Sequence, residues 1–425
     1  MQRVAALVAR AATARAALWV LVASTIANVF AYGYQVVMAR LLRPEDYAIL
    51  TALFGILILE SLAAQVIQSA TARLAAQYKA RDEMAALHVF VRRWTTRVLV
   101  GASLPALLVV VTSPVVGPAL ALPAASVALL GVALWLSAPL TFTGGLLQGL
   151  GHFGWFGWYF IVQAVARLAI GVLLVEAGAG VGGAFSGAVA ALAVALVLSL
   201  IPLMPLFQAA RGAVHEIELG AAETRFFLLA AVIMVAYAAL TNMDAIASRA
   251  LLPPADAGAY AGAITMAKVV LFAPIAVGFI LLERTARAQA RGLDTDRMLF
   301  IAIAFVLVTS GVATAAYLVA PAFFTGIVLG AQYPLAATLI GPYAVAALLN
   351  ALLSLWIAHF IGRGEMRFGL LLAVAVAAEV GLILATPHDP VTLVRVVLGV
   401  AAATQLAALA TYWWERSRRV TAAAA

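Results

Sequence analysis

The 425-residue sequence contains no cysteine and few charged residues. Without cysteine the chain cannot form disulfides, thiolate metal sites or a cysteine nucleophile. Charged residues make up only 10% of the chain, whereas a soluble domain carries about 25%. Because so few polar side chains could not coat a water-facing surface, the composition argues against a soluble enzyme, a disordered chain and a nucleic-acid-binding domain.

The sequence also lacks the short motifs of common cofactor and metal sites. Neither a phosphate-binding GxxxxGK[ST] loop nor an HExxH metal motif occurs. Residues 178–183 fit GxGxxG, but they follow an apolar run rather than a strand in a βαβ unit, so we interpret them as a turn. No cofactor, no metal site and no enzymatic activity are predicted.

Hydrophobic residues make up 65% of the chain, and its mean hydropathy is +1.08. A bilayer core of about 30 Å needs about 20 apolar residues per helix. The sequence therefore predicts an all-α polytopic membrane protein with about 12 transmembrane helices, at residues 16–38, 48–70, 94–114, 124–148, 156–176, 181–205, 225–244, 260–283, 298–320, 332–360, 368–386 and 390–414.

The distribution of positive charge predicts the orientation of these spans. The chain carries 26 Lys and Arg against 18 Asp and Glu, a net charge of +8. If the N-terminus is cytoplasmic, 20 of the 26 basic residues fall on the cytoplasmic side and four on the other. This asymmetry follows the positive-inside rule. It predicts cytoplasmic termini and explains the basic excess without a nucleic-acid partner.

A repeated motif divides the chain into halves. Residues 41–48 read LLRPEDYA and residues 251–258 read LLPPADAG, an offset of 210 residues. A weaker echo pairs Gly151-His152 with Gly362-Arg363. Proline breaks a helix and Asp can cap the next one, so we interpret the motif as a connector. The repeat predicts two six-helix lobes, 1–206 and 207–425, around a central cavity.

Small residues at helical spacing predict where helices approach closely. Three GxxxG patterns occur, starting at Gly145, Gly183 and Gly258. Such patterns allow backbones to come near one another, and we interpret them as packing within the bundle.

Several segments resemble a known family. Residues 35–47 read QVVMARLLRPEDY, residues 147–153 read LQGLGHF, and Asn242-Met243-Asp244 is followed by LLPP at residues 251–254 and AGAY at residues 257–260. These segments resemble the polysaccharide transporters, or Wzx-type lipid-linked oligosaccharide flippases, of the multidrug/oligosaccharidyl-lipid/polysaccharide (MOP) exporter superfamily.

The resemblance implies two lobes around a cavity that opens alternately to either side of a bacterial cytoplasmic membrane. It implies a flippase for an undecaprenyl-diphosphate-linked sugar unit in surface polysaccharide biosynthesis, with a polysaccharide polymerase as a possible partner. Ion-coupled multidrug/cation antiporters of the same superfamily are the alternative. A membrane-embedded glycosyltransferase is a third hypothesis, which the short predicted outer loops disfavour.

Five ionisable side chains fall inside predicted spans: Glu60, Arg167, Asp244, Lys268 and Glu379. A charge at the centre of a membrane helix costs about 2.5–3.5 kcal/mol, so we expect these groups to face a cavity or each other. Arg167 and Lys268 are the candidates for attracting a diphosphate, since Arg can grip phosphate oxygens in pairs. The alternative is that they form structural ion pairs with the carboxylates.

The remaining candidates follow from polarity alone. Asp244, Glu379 and Glu60 are candidate ion-coupling or ion-pair residues, because a buried carboxylate can exchange a proton near neutral pH. Amides at Asn28, Gln35 and Gln148 are candidate substrate-pathway residues for sugar hydroxyls. Amides within spans, Asn242 among them, more often hydrogen-bond between helices.

Overall fold

A computed structural model describes residues 2–207, 220–271 and 295–424, together with residues 277, 278, 281, 285 and 288. Within these residues, ten helical segments are long and apolar enough to cross a membrane, and one of them, Phe153–Phe207, includes two of the predicted spans. The eighth predicted span, 260–283, lies partly outside the described residues. The predicted all-helical polytopic class is confirmed.

Contacts divide the chain into two compact units. Unit 1 comprises Met1–Leu42 and Glu60–Phe227, and unit 2 comprises Arg43–Leu59 and Leu228–Ala425. The second helix therefore contributes its first part to unit 2 and its remainder to unit 1. The predicted lobe limits at residues 206 and 207 precede a stretch, 208–219, that lies outside the described residues, and they stay a prediction.

Unit 1 is a bundle of long helices in which α5 packs against α1 and α6, and α3 packs against α4. Its core includes buried aromatic side chains such as Tyr78, Phe90 and Tyr159. The helices are α1 (Gln2–Leu41), α2 (Pro44–Ala80, its first part in unit 2), α3 (Met84–Ala119), α4 (Ala124–Gly149), α5 (Phe153–Leu174) and α6 (Gly180–Leu200).

Unit 2 is arranged around one central helix, α11, which packs against α8, α9 and α13. Trp356 and Phe360 of α11 lie in its core with Tyr412 of α13. The helices are α7 (Ala221–Leu251), α8 (Pro254–Ala267), α9 (Asp296–Val319), α10 (Pro321–Val328), α11 (Ala336–Gly362), α12 (Phe368–Ala385) and α13 (Pro390–Ala424).

Both copies of the repeated motif form the same helix–turn–helix connection. α1 ends at Leu41 and α2 begins at Pro44, and α7 ends at Leu251 and α8 begins at Pro254. Proline suits the first position of a helix because the N–H that it lacks would have no helical partner there. The two copies also touch, since a Cβ added at Gly258 would lie 2.6 Å from the Cβ of Pro44. The connector interpretation is confirmed, but the expected capping role of Asp is wrong for the second copy: Asp256 lies in the first turn of α8, and no side chain of the described residues caps that helix.

The second echo of the repeat is displaced by two residues from its predicted position. Gly151 has a φ of 79° after α4, and Gly364 has a φ of 77° after α11. In both places the N–H of the residue after the glycine donates a hydrogen bond to a carbonyl of the last helical turn. His152 N–H donates to Leu147 O at 2.8 Å, and Glu365 N–H donates to Phe360 O at 2.9 Å. Glycine adopts positive φ without strain and commonly ends helices this way. The pairing of Gly151 with Gly362 was therefore wrong, because Gly362 is still helical.

Glycines bring neighbouring helices together as predicted. A Cβ at Gly145 of α4 would lie 2.6 Å from the backbone oxygen of Gln68 on α2. A Cβ at Gly187 of α6 would lie 2.5 Å from the Cα of Gly171 on α5. Real Cβ atoms do not approach so closely, so glycine sets both packing distances. Between α5 and α6, a short π-helical turn at Val175–Ala179 contains Gly178 with a φ of 88°. The predicted turn at 178–183 is therefore shorter than expected, because residues 180–183 belong to α6.

Candidate functional site

The candidate residues fall into both units. Asp244, Lys268 and Glu379 lie in unit 2, and the structure brings them together. The other five lie in unit 1: Asn28, Gln35, Glu60, Gln148 and Arg167.

Asp244 lies in the interior of unit 2, with only 1% of its surface exposed. Its Oδ2 atom accepts hydrogen bonds from the hydroxyl of Tyr260 at 3.0 Å and from that of Tyr343 at 2.5 Å. The two rings meet edge to face, with centroids 5.6 Å apart. Helices α7, α8 and α11 each supply one of these side chains, so the carboxylate is fixed by the packing of three helices.

Two further charged groups lie within electrostatic range of Asp244. Glu379, on α12, is also 1% exposed and interacts with the Asp244 carboxylate. Its Oε1 atom is buried and accepts no hydrogen bond from the described part of the chain. Lys268 carries the opposite charge and interacts electrostatically with Asp244. Unit 2 therefore buries these two interacting carboxyl groups, and the ammonium group of Lys268 interacts with one of them.

The helix that carries Lys268 ends just before it. α8 stops at Ala267, and Lys268 begins a short 3₁₀ turn that runs to Leu271. The predicted span at 260–283 is thus not one uninterrupted α-helix over its described part. By contrast, α7 continues beyond the predicted end of its span at residue 244 and reaches Leu251. Asp244 therefore lies inside a helix and does not cap one.

The two buried carboxyl groups influence each other's ionisation. Two buried carboxyl groups near each other cannot both be ionised cheaply, since like charges in a poorly solvated site repel. A proton on one of the two groups relieves that repulsion. Among the described residues no group of three or more His, Asp or Glu side chains is arranged to hold a metal ion.

Arg167 in unit 1 lies against an aromatic ring. Its guanidinium carbon is 5.2 Å from the ring centroid of Tyr34 on α1. Tyr34 is fully buried, and its hydroxyl donates to the backbone oxygen of Ala184 at 2.8 Å. Arg167 itself is half-buried. The ring thus orients a cation within α5 by cation–π attraction, which is worth about 0.5–2 kcal/mol.

The other unit 1 candidates have different surroundings. The Oε1 atom of Glu60 accepts a hydrogen bond from the hydroxyl of Ser137 at 2.7 Å, and Glu60 is half-buried. Gln35 is also half-buried, whereas Asn28 and Gln148 are exposed. The contacts described above thus place Arg167 with Tyr34 and Glu60 with Ser137.

One amide donates two hydrogen bonds within its own helix, where a bond between helices was the commoner expectation. Asn242 was expected to hydrogen-bond between helices, but its Nδ2 atom donates to Ala238 O at 3.0 Å and to the Thr241 hydroxyl at 3.0 Å. Both partners lie on α7, its own helix. The NH₂ group of Asn242 is therefore satisfied by local acceptors.

Sequence reasoning missed the tyrosines. Tyr34, Tyr260 and Tyr343 contact the candidate charged residues, yet they looked like ordinary apolar residues of membrane spans. A buried tyrosine hydroxyl needs a hydrogen-bond partner. Tyrosine well inside an apolar span was therefore the signal that could have pointed to a buried polar site.

Comparisons with known proteins show the fold. No family model and no curated protein matches the sequence. A multidrug resistance MATE family transporter of the MOP superfamily, in an inward-facing conformation, is similar with a TM-score of 0.71 and 15% identity, covering 93% of this chain and 94% of that one.

Two further solved structures are similar over most of their lengths. The lipid II flippase MurJ, in an inward closed conformation, has a TM-score of 0.69 and 11% identity, covering 93% of this chain and 87% of that one. A MOP superfamily transporter from Pyrococcus furiosus has a TM-score of 0.62 and 15% identity, covering 96% and 95%. The chain thus has the two-lobed, all-helical membrane fold of MATE and MurJ structures, which confirms the predicted fold class.

Proposed function

We propose that the chain is a flippase that moves an undecaprenyl-diphosphate-linked oligosaccharide across the bacterial cytoplasmic membrane for surface polysaccharide biosynthesis. The observation that carries the proposal is Arg167, a half-buried guanidinium held against Tyr34 within a membrane-spanning helix. The fold shared with a lipid II flippase supports a lipid-linked substrate.

The physical need for such a protein is large. Each sugar hydroxyl costs roughly 2–7 kcal/mol to bury in hydrocarbon without a partner. The diphosphate adds negative charge, for which a guanidinium is a good bidentate partner. In this proposal Arg167 attracts the diphosphate, and the amides of Asn28, Gln35 and Gln148 bind sugar hydroxyls along the pathway.

The direct test is leaflet exchange in reconstituted vesicles. A fluorescent polyprenyl-diphosphate sugar is incorporated, and its exposure on the outer leaflet is followed by chemical quenching. Since a hydrogen bond to a charged group is worth about 1.5–3 kcal/mol, we expect Arg167→Ala to slow exchange about 10-fold or more. Arg167→Lys should retain part of the rate, because it keeps the charge and loses the planar fork.

The matched control is Arg418, whose guanidinium also lies over an aromatic ring, that of Trp414 at 3.9 Å, close to the end of α13. Arg418→Ala should exchange lipid at the wild-type rate. If wild-type protein does not accelerate exchange over empty vesicles, the proposed function is wrong. If the wild type accelerates exchange and Arg167→Ala does so at the same rate, the proposed function stands and Arg167 has no part in it.

Lys268 requires a separate test, because Asp244 lies within its electrostatic range. We propose that Lys268 also attracts the diphosphate. Lys268→Ala should therefore slow exchange, and adding Asp244→Asn should not restore it. Recovery of the wild-type rate in the double variant would show that Lys268 serves only to balance the charge of Asp244.

Orientation and partners belong to the same proposal. The 20-to-4 distribution of basic residues supports cytoplasmic termini. A cysteine introduced into the cysteine-free chain near either terminus should react with a membrane-impermeant maleimide only after the cells are opened. A polysaccharide polymerase is the proposed consumer of the flipped lipid.

The second candidate is an ion-coupled multidrug/cation antiporter. The buried pair Asp244 and Glu379 favours it, since two interacting carboxyl groups can exchange a proton or a sodium ion during transport. Efflux of a cationic dye driven by a proton or sodium gradient would support this function. That efflux should be lost in Asp244→Asn and in Glu379→Gln, and retained in Glu60→Gln, whose carboxylate is hydrogen-bonded to Ser137.

A further inference from the structure

A groove of about 790 Å³ runs between α12 and α13 in unit 2. Its rims are exposed aliphatic side chains, among them Leu370, Val374 and Leu382. The space exists because small residues line its length on both helices: Ala375, Ala378, Gly399, Ala403 and Ala407. Its walls are apolar and its shape is elongated.

The groove is long enough to hold a hydrocarbon chain along the depth of one leaflet. Its lining extends from Arg367 to Leu382 along α12, which at 1.5 Å per residue is about 22 Å. One leaflet of the bilayer core is about 15 Å deep, half of the full thickness. A single acyl chain entering from one membrane face therefore fills most of the groove.

An arginine lines each end, and the two differ in their surroundings. Arg395 lies near Asp389, a carboxylate in the loop before α13. The pKa of Asp389 is below its ordinary value, mainly because Thr392 donates hydrogen bonds to it and to a smaller extent because of Arg395. Arg367 is exposed, and within the described part of the chain it forms no ion pair with a carboxylate. Among the described residues, Arg367 is therefore the end of the groove whose positive charge no carboxylate balances through an ion pair.

From these observations we infer that the α12–α13 groove binds an anionic glycerophospholipid of the bilayer. One acyl chain lies along the small residues of the groove, and its phosphate is held by Arg367. The predicted orientation places Arg367 on the cytoplasmic side, so the lipid comes from the inner leaflet. This inference does not depend on the transported substrate.

Photocrosslinking tests the inference. The full-length protein is reconstituted with phosphatidylglycerol that carries a diazirine in one acyl chain, and crosslinked peptides are mapped after irradiation. Crosslinks should fall on α12 and α13 of the wild type. Ala378→Trp fills the groove and should lower their yield at least about 5-fold. Ala377→Trp is the matched control, because Ala377 is exposed on the same helix and does not line the groove; its yield should stay near the wild-type value.

The head-group contact is tested in the same assay. Arg367→Ala should lower the yield from phosphatidylglycerol about 5-fold, whereas Arg395→Ala should change it less than about 2-fold. Equal crosslinking by phosphatidylcholine and phosphatidylglycerol in the wild type would overturn the inference, as would an unchanged yield in both Ala378→Trp and Arg367→Ala. Displacement of phosphatidylglycerol by substoichiometric polyprenyl phosphate would also overturn it, because the occupant would then be an isoprenoid lipid.

Discussion

Removing both tyrosine hydroxyls that reach Asp244 should destabilise unit 2 far more than removing either one. Tyr260 and Tyr343 donate to the same oxygen, Oδ2, from 3.0 and 2.5 Å. The other carboxylate oxygen, Oδ1, is buried and accepts no hydrogen bond from the described residues. Either tyrosine alone keeps Oδ2 satisfied, and loss of both leaves the whole carboxyl group without a hydroxyl donor.

The magnitudes follow from this redundancy. Tyr260→Phe and Tyr343→Phe should each cost about 1 kcal/mol, the net value of one hydrogen bond. The double variant adds the penalty for an unsatisfied buried polar group, about 1–3 kcal/mol. We therefore expect the double variant to lose about 3–5 kcal/mol, with a coupling free energy of about 1–3 kcal/mol between the two sites.

The measurement is reversible unfolding in mixed micelles at fixed pH, with the denaturing detergent as titrant and circular dichroism as the signal. All four members of the cycle are compared in the same buffer. Independent sites add within about 0.3–0.5 kcal/mol, so additive losses within that limit would refute the shared-acceptor reasoning. Asp244→Asn should also cost less stability in the double-phenylalanine background than in wild type, because the amide carries no charge.

Two further predictions concern packing and capping. Gly187→Ala should destabilise unit 1 by about 1–3 kcal/mol, because the added Cβ would lie 2.5 Å from Gly171. Gly182→Ala is the control and should not destabilise the unit, because no atom lies within 4 Å of a Cβ there. Unfolding of the two variants in micelles compares them directly. Asp389→Ala should lower stability by about 0.5–2 kcal/mol at neutral pH, because Asp389 accepts the Thr392 N–H at the start of α13. Because the Thr392 hydrogen bonds lower the pKa of Asp389 on folding, this contribution is present at pH 7 and is lost as the pH falls through that pKa. A melting-temperature difference between the variant and the wild type that does not shrink as the pH is lowered would contradict it.

Most helices could be predicted from the sequence because a membrane allows few alternatives. A backbone in hydrocarbon must satisfy its hydrogen bonds internally, so a long apolar run becomes a helix. The predicted span 368–386 corresponds to Phe368–Ala385, and 124–148 corresponds to Ala124–Gly149. Proline in the repeated motif likewise made the connector predictable, since it acts through local backbone geometry.

The composition of the candidate site could be predicted only in part. Hydropathy singles out Asp244 and Glu379 because charge is rare in apolar runs. It does not show that Tyr260 and Tyr343 donate to Asp244, because that depends on the packing of helices distant in sequence. The displaced echo at Gly364 had a similar cause: the residue type was visible, and the residue with positive φ depended on where α11 ended.

The division of α2 has a consequence for how the protein is made. Residues 43–59 emerge from the ribosome long before the rest of unit 2, and they include Tyr47 and Leu50, both fully buried. The hydroxyl of Tyr47 shares a 2.5 Å hydrogen bond with Thr265. In the nascent chain, residues 43–59 therefore cannot form their native contacts with unit 2 until α7 and α8 are inserted. A split version of the protein should assemble when its first fragment extends past residue 59, and a C-terminal half expressed alone should lack part of its own interior.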